Sequence, residues 1–194
     1  MKTLNQYIQE KLIINKDYRD NMIIVKSFNK LRKIIEDRYN KLGPGTEHNP
    51  IDFNDIDVSN IYSFYNYKKN NEKGIFEKTK FKYIDISDWD VSNVTDMSGM
   101  FFDCGELKSV GDLSSWNVSK VTDMKCMFSR CRELKSVGDI SCWNVSNVTD
   151  MYSMFYDCKL FNQDLSGWNV SNVTIPYGIF DNCPIKDEYK PKFK

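Results

Sequence analysis

Residues 143–158 read Trp143-Asn-Val-Ser-Asn-Val-Thr-Asp-Met-Tyr-Ser-Met-Phe-Tyr-Asp-Cys158, and the same text returns along the chain. Trp89, Trp116, Trp143 and Trp168 are 27, 27 and 25 residues apart, and Cys104, Cys131, Cys158 and Cys183 keep the same intervals. Val-Thr-Asp-Met recurs at 94–97, 121–124 and 148–151, followed by Met100-Phe101, Met127-Phe128, Met154-Phe155 and Ile179-Phe180. A worn copy begins at Ile56-Asp-Val-Ser-Asn-Ile61, 33 residues before its counterpart at Trp89. Such a period marks a repeat architecture, in which each unit is too small to bury its own apolar face and stacking buries it.

Within one unit, Thr95, Thr122 and Thr149 read as helix N-caps, each followed by an Asp suited to the positive end of a helix dipole. Met97, Met100, Phe101 and Cys104 then fall at i, i+3, i+4 and i+7, the spacing of one helical face. Leu107, Val110 and Gly111-Asp112 predict a short extended piece and a turn, and Trp-Asn-Val-Ser an extended corner. The expected fold is therefore α/β: a short leucine-rich-repeat-like solenoid of about five repeats with an N-terminal helical cap. Its structural ladder would be the Trp89, Trp116, Trp143, Trp168 and Cys104, Cys131, Cys158, Cys183 columns. The fourth copy is two residues shorter between Cys158 and Trp168, which marks one edge as loop. The worn copy's excess of six residues falls in the Lys-rich stretch 66–82.

The text Trp-Asn-Val-Ser-Asn-Val-Thr-Asp-Met-x-x-Met-Phe-x-x-Cys resembles the BspA-like, leucine-rich-repeat-related family of bacterial proteins over about residues 51–183. The resemblance implies a right-handed solenoid and a protein-interaction role. Many members of that family are surface proteins or adhesins, and others belong to gut bacteria and their phages. The family brings no catalytic residues with it.

The sequence divides into an N-terminal arm (1–16), an amphipathic capping helix and loop (17–50), the repeat block (51–183) and a polar tail (184–194). Between Tyr18 and Leu42, Ile24, Phe28, Leu31, Ile35 and Tyr39 keep helical spacing, and Gly43-Pro44-Gly45 ends the helix. Such a helix would cover the apolar end of a stack, or set its basic face on an acidic partner. In the arm, Leu4, Tyr7, Ile8 and Leu12 share one face of an element too short to be stable alone. It either packs back on the body or docks a partner, so these four are the candidate partner-binding residues.

Charge and composition narrow the function. The chain is neutral overall, yet residues 1–50 carry ten Lys/Arg against six Asp/Glu and residues 85–183 seven against fourteen. A net −7 block repels phosphates, which argues against nucleic acid. No run of 18 apolar residues predicts a membrane span, and Met1 to Leu12 lacks the apolar core of a signal peptide. The expected location is the cytoplasm, or a virion assembled there. Reduced thiols follow from that compartment. Zinc would want paired Cys/His ligands, but no Cys-x-x-Cys occurs and His48 is the only histidine. The Cys column therefore reads as buried apolar thiols, with Cys126 and Cys142, each present in one copy, as the reactive ones. The Asp columns at 96, 123, 150 and at 112, 139, 164 suit calcium in composition, but caps and turns account for them.

No phosphate loop, nucleophile elbow or pair of carboxylates in unlike settings is present, so the chain reads as non-catalytic, without cofactor or metal. The expectation is a protein-binding module. The alternatives are an assembly component of a phage particle attached through the arm, and an adhesin-like surface protein. Stacking explains the recurring residues, so function should lie where copies differ: the Lys-rich insertion, the shortened loop, the unique cysteines and the arm.

Overall fold

The computed structural model describes residues 22–67 and 73–193. In chain order the elements are β1 (Ile23–Ile24), α1 (Phe28–Leu42), β2 (Ile51–Asp52), β3 (Ile56–Asp57), β4 (Tyr65–Asn66), β5 (Lys73–Gly74) and β6 (Ile84–Asp85). They form three separate two-stranded sheets: β1 parallel to β3, β2 parallel to β6, and β4 antiparallel to β5. Two 3-10 turns, at Ile140–Cys142 and Asp187–Tyr189, complete the regular structure of the described residues.

The short right-handed leucine-rich-repeat-like α/β solenoid of about five repeats is thus not what the chain builds. Among the described residues α1 is the one α-helix, and no sheet exceeds two strands. The segments expected to be repeat helices are turns. Gly99, Cys126, Ser153 and Gly178 hold φ of 55°, 54°, 51° and 66°, and four residues later Asp103, Arg130, Asp157 and Asn182 hold 58°, 63°, 58° and 56°. A left-handed residue every fourth position stops an α-helix after each turn.

The backbone hydrogen bonds show what replaces it. Met100 and Cys104 N–H donate three residues back, to Met97 and Phe101 C=O, closing tight turns. The alternate residues Met97, Gly99, Phe101 and Asp103 donate instead to Asp123, Lys125, Met127 and Ser129 of the next copy, at 2.8–2.9 Å. Thr95 is likewise no helix N-cap. Its amide and hydroxyl donate to Tyr62 C=O, and Thr122, Thr149 and Thr174 donate to the preceding Thr carbonyl. Isolated parallel bridges run Ser63–Asp96–Asp123–Asp150–Ile175 and define five layers of a turn ladder.

Side chains fill the space between layers. Phe76, Phe101, Phe128, Phe155 and Phe180 form one column with ring centroids 5.2, 5.3, 5.6 and 5.8 Å apart. Trp116, Trp143 and Trp168 form another at 6.4 and 6.3 Å. Each Trp Nε1 donates to a backbone carbonyl of the preceding layer, so a large apolar ring enters the core with no unmatched donor. Each buried ring contributes about 2–3 kcal/mol of transfer free energy.

Helix α1 begins where the Ser27 hydroxyl accepts the Lys30 N–H, and ends at Gly43, whose φ of 77° suits a residue without Cβ. It is shorter than the Tyr18–Leu42 stretch predicted for it, because Ile23–Ile24 are extended against β3. Leu31 and Ile35 enter the core. The first layer's extra residues fall in the sequence between β4 and β5. In the shortened fourth copy the Gln163 amide stands in for missing backbone, accepting Val137 N–H and donating to Gly138 C=O. The tail 184–194 is less polar in its packing than its sequence reads, since Ile185 is buried and Tyr189 C=O accepts Leu165 N–H.

Candidate functional site

Most residues that recur from copy to copy point inward. Trp89, Trp116, Trp143 and Trp168 are buried, as are Cys104, Cys131 and Cys158, while Cys183 is half-buried. The thiols donate to Phe76, Phe101, Phe128 and Phe161 carbonyls at 3.0–3.5 Å. Burial pushes the Cys104 thiol up to about 11 and raises Cys131, Cys158 and Cys183 as well, so these thiols are protonated near neutral pH. Cys142 is exposed, but Cys126 is half-buried, and burial raises its thiol too, against the expectation of a reactive group.

A surface that can do something is found by following one column outward. In four layers a side-chain oxygen at the bridge position accepts the N–H two residues on: Ser63 from Tyr65, Asp96 from Ser98, Asp123 from Lys125 and Asp150 from Tyr152, at 2.8–3.0 Å. These small turns hold the backbone alike in each layer while the residue at the second position varies. Continued into the last layer, the column reads Tyr65, Ser98, Lys125, Tyr152, Tyr177. Tyr62, Tyr67, Tyr152 and Tyr177 are 65%, 63%, 43% and 68% exposed. Lys125 Nζ lies 5.8 Å from the Tyr152 ring centre.

Against the Tyr65, Ser98 and Lys125 part of this column lies a groove of about 370 Å³. Tyr65, Tyr67 and Phe102 form its aromatic wall, Ser98 and Gly99 line its base, and Asp123, Lys125 and Asp150 its polar side. Tyr65 and Tyr67 meet edge to face at 4.8 Å. Gly99 is glycine for its φ of 55° and not for space, since a Cβ there would meet the Tyr65 ring at an ordinary contact distance of 3.5 Å. Ser98 donates to Asp96 in a short contact, and Ser63 Oγ donates to the other carboxylate oxygen at 2.8 Å. Although the Tyr67 side chain is largely exposed, partial desolvation against the groove pushes its phenol up to about 12; its hydrogen bond with Ser98 works against that, while Asp96 and Asp123 add to it. Burial also raises the Asp123 carboxyl, helped by the neighbouring Asp96 and Asp150 charges and opposed by the Lys125 N–H and ammonium.

The groove therefore offers aromatic rings, phenol hydroxyls and a line of carboxylates. Among the described residues no three His, Cys, Asp or Glu are placed to hold a metal ion. No helix among them is long and apolar enough to cross a membrane. The sequence-predicted contacts Leu4, Tyr7, Ile8 and Leu12 lie outside the described residues. Sequence reasoning missed the tyrosine column, although the signal was present in a variable second position after a repeated Asp.

A family model described as "Mycoplasma protein of unknown function, DUF285" matches residues 70–190, more than half of the chain. Neither curated proteins nor solved structures give a match.

Proposed function

The chain belongs to the DUF285 family, and from that premise we propose that it is a non-catalytic module that binds another protein through the tyrosine-lined groove. The observation that carries this reading is the contrast within a layer: inward positions repeat, while the outward column varies and borders a groove lined by Tyr65 and the exposed Tyr67. Tyrosine combines a large apolar contact with a polar tip and has few rotamers to lose, which is why it is enriched in interfaces. The Asp96, Asp123 and Asp150 column favours a partner segment carrying a basic side chain next to apolar ones. The shared repeat text also supports kinship with the BspA-like proteins, whose surface and adhesive members act by binding.

The test uses a photoreactive benzoylphenylalanine in place of Tyr152 in cells that make the protein. One discrete adduct is expected, and it should disappear when Tyr65→Ala and Tyr67→Ala are introduced together. The same probe at Lys135, which lies outside the groove, should give no such adduct. Identical adducts from both positions, or none from Tyr152, would sink the proposal.

A further inference from the structure

We infer that the last layer is a docking edge for an extended segment of another polypeptide, recognised through that segment's backbone carbonyls. This does not rest on the tyrosine groove. It follows from the direction of the hydrogen bonds along the ladder. In each inner layer the alternate amides of the turn donate forward: Met124, Cys126, Phe128 and Arg130 to Asp150, Tyr152, Met154 and Tyr156, at 2.7–3.0 Å. The next set, Met151, Ser153, Phe155 and Asp157, donates to Ile175, Tyr177, Ile179 and Asp181.

The corresponding residues of the last layer are Pro176, Gly178, Phe180 and Asn182. Pro176 has no N–H to donate. The N–H groups of Gly178, Phe180 and Asn182 find no acceptor among the described residues. Thr174 C=O, whose equivalents Thr95, Thr122 and Thr149 each accept from the next Thr, likewise has no donor there. The Phe column also ends here, with the Phe180 ring 5.8 Å from Phe155 and only partly buried. The edge therefore presents one acceptor, then three donors two residues apart, beside an aromatic ring. An incoming chain in the conformation of one more layer matches it group for group, by the edge-addition mode of peptide recognition.

A second copy of the chain does not fit. Two such edges would oppose donors to donors. The first layer's matching acceptors, Ile75 and Glu77 C=O, are already taken by the Arg32 guanidinium of α1, at 2.6 Å and 3.3–3.4 Å. The occupant is thus a segment of a different protein that offers carbonyls at alternate residues and an aromatic side chain for Phe180.

The probe is a synthetic peptide with blocked ends that copies residues 149–157, whose Tyr152, Met154 and Tyr156 carbonyls do this work inside the ladder. In the free full-length protein the Gly178, Phe180 and Asn182 amides should exchange with solvent on the order of 100-fold faster than Ser153, Phe155 and Asp157. Adding the peptide should give saturable amide shifts confined to the last layer and slow those three amides about 10-fold. The peptide carrying Phe155→Asp should give neither. The inference is overturned if the three amides are already protected in the monomer, or if no saturable shift appears up to the solubility limit of the peptide. It is equally overturned if a scrambled peptide acts alike, or if protection grows with protein concentration alone, which would make the occupant a second copy.

Discussion

The first layer, around Ser63 to Lys78, and the last, around Thr174 to Cys183, flank the same ladder, yet they meet their surroundings differently. The first exposes carbonyls in the stacking direction, and Arg32 from α1 fills two of them. The last exposes amides, and only Pro176, by lacking one, reduces their number. A carbonyl edge can be closed by one long cationic side chain, because a guanidinium carries several donors in a fixed fork. A carboxylate could accept from two or three amides in the same way, but at the last layer no described residue does so. The two ends of a polar backbone ladder are thus chemically unlike even when the repeat is the same: here a side chain closes one, and among the described residues the other stays open.

The largest effect should separate the interior from the last layer. Phe128 is fully buried with a ring on each side, at 5.3 and 5.6 Å, whereas Phe180 has one ring neighbour and is only partly covered. Phe128→Ala should cost about 3–5 kcal/mol of stability, and Phe180→Ala less than about half as much. Urea unfolding of both variants measures this. Equal losses would mean that the last layer is packed like an inner one, and the contrast between the ends would fail.

A smaller effect tests the closed end. Arg32→Met keeps an apolar stem against the core but withdraws the donors from Ile75 and Glu77 C=O. Leaving a partly buried acceptor unmatched should cost about 1–3 kcal/mol. Arg32 also pairs with Glu36 one turn on, at 2.8 Å, but Glu36 is half exposed and such a pair contributes little. Glu36→Gln should therefore change stability by less than about 0.5 kcal/mol. If the two substitutions cost the same, the ion pair and not the carbonyls accounts for Arg32.

What the sequence revealed follows the same division between side chains and backbone. Intervals of 27, 27 and 25 residues identify the members of a column, and Trp116, Trp143 and Trp168 do stack. Conformation between columns was not legible. Met97, Met100, Phe101 and Cys104 suit one face of a helix, but two successive four-residue turns bury the same four side chains. The deciding feature is positive φ, and the residues that adopt it include Cys126, Arg130 and Ser153, none of which announces it. Only Gly99, Gly178 and the Asp and Asn of the second position hint at it. Arg32 was visible only as one basic residue among several on a helix. Its role depends on which carbonyls lie across from it, which no periodicity encodes. The tyrosine column could have been aligned by eye, since it follows the bridge position by two residues in each layer.

The smallest effect concerns the carboxylate column, which also distinguishes the ends: Ser63 and Ile175 stand in the outer layers where Asp96, Asp123 and Asp150 stand inside. Asp123 alone has an acid on each side, and burial together with those two charges raises its carboxyl above the ordinary value. A raised pKa means that the folded chain holds this proton more tightly than the unfolded one. The favourable contribution from protonation is therefore fully present below the unfolded value and disappears as pH rises through the folded one. At neutral pH the ionised group opposes folding. Asp123→Asn removes the charge and keeps an oxygen for the Lys125 N–H, so the turn is retained. The variant should melt slightly higher than the parent at pH 7, and the difference should shrink as pH falls through the folded pKa of Asp123. Asp85 supplies the opposite sign. Burial pushes its carboxyl up, but hydrogen bonds from Ser87 and Asn54 outweigh that and hold it low, so its contribution is present at neutral pH and lost on acidification. Asp85→Asn should lower the melting temperature at pH 7 and matter progressively less in acid. Thermal melts of the two variants between pH 7 and pH 3 would then diverge from the parent in opposite directions at the neutral end. If both shifted the same way, charge–charge repulsion along the column could not be what sets Asp123 apart from the uncharged ends.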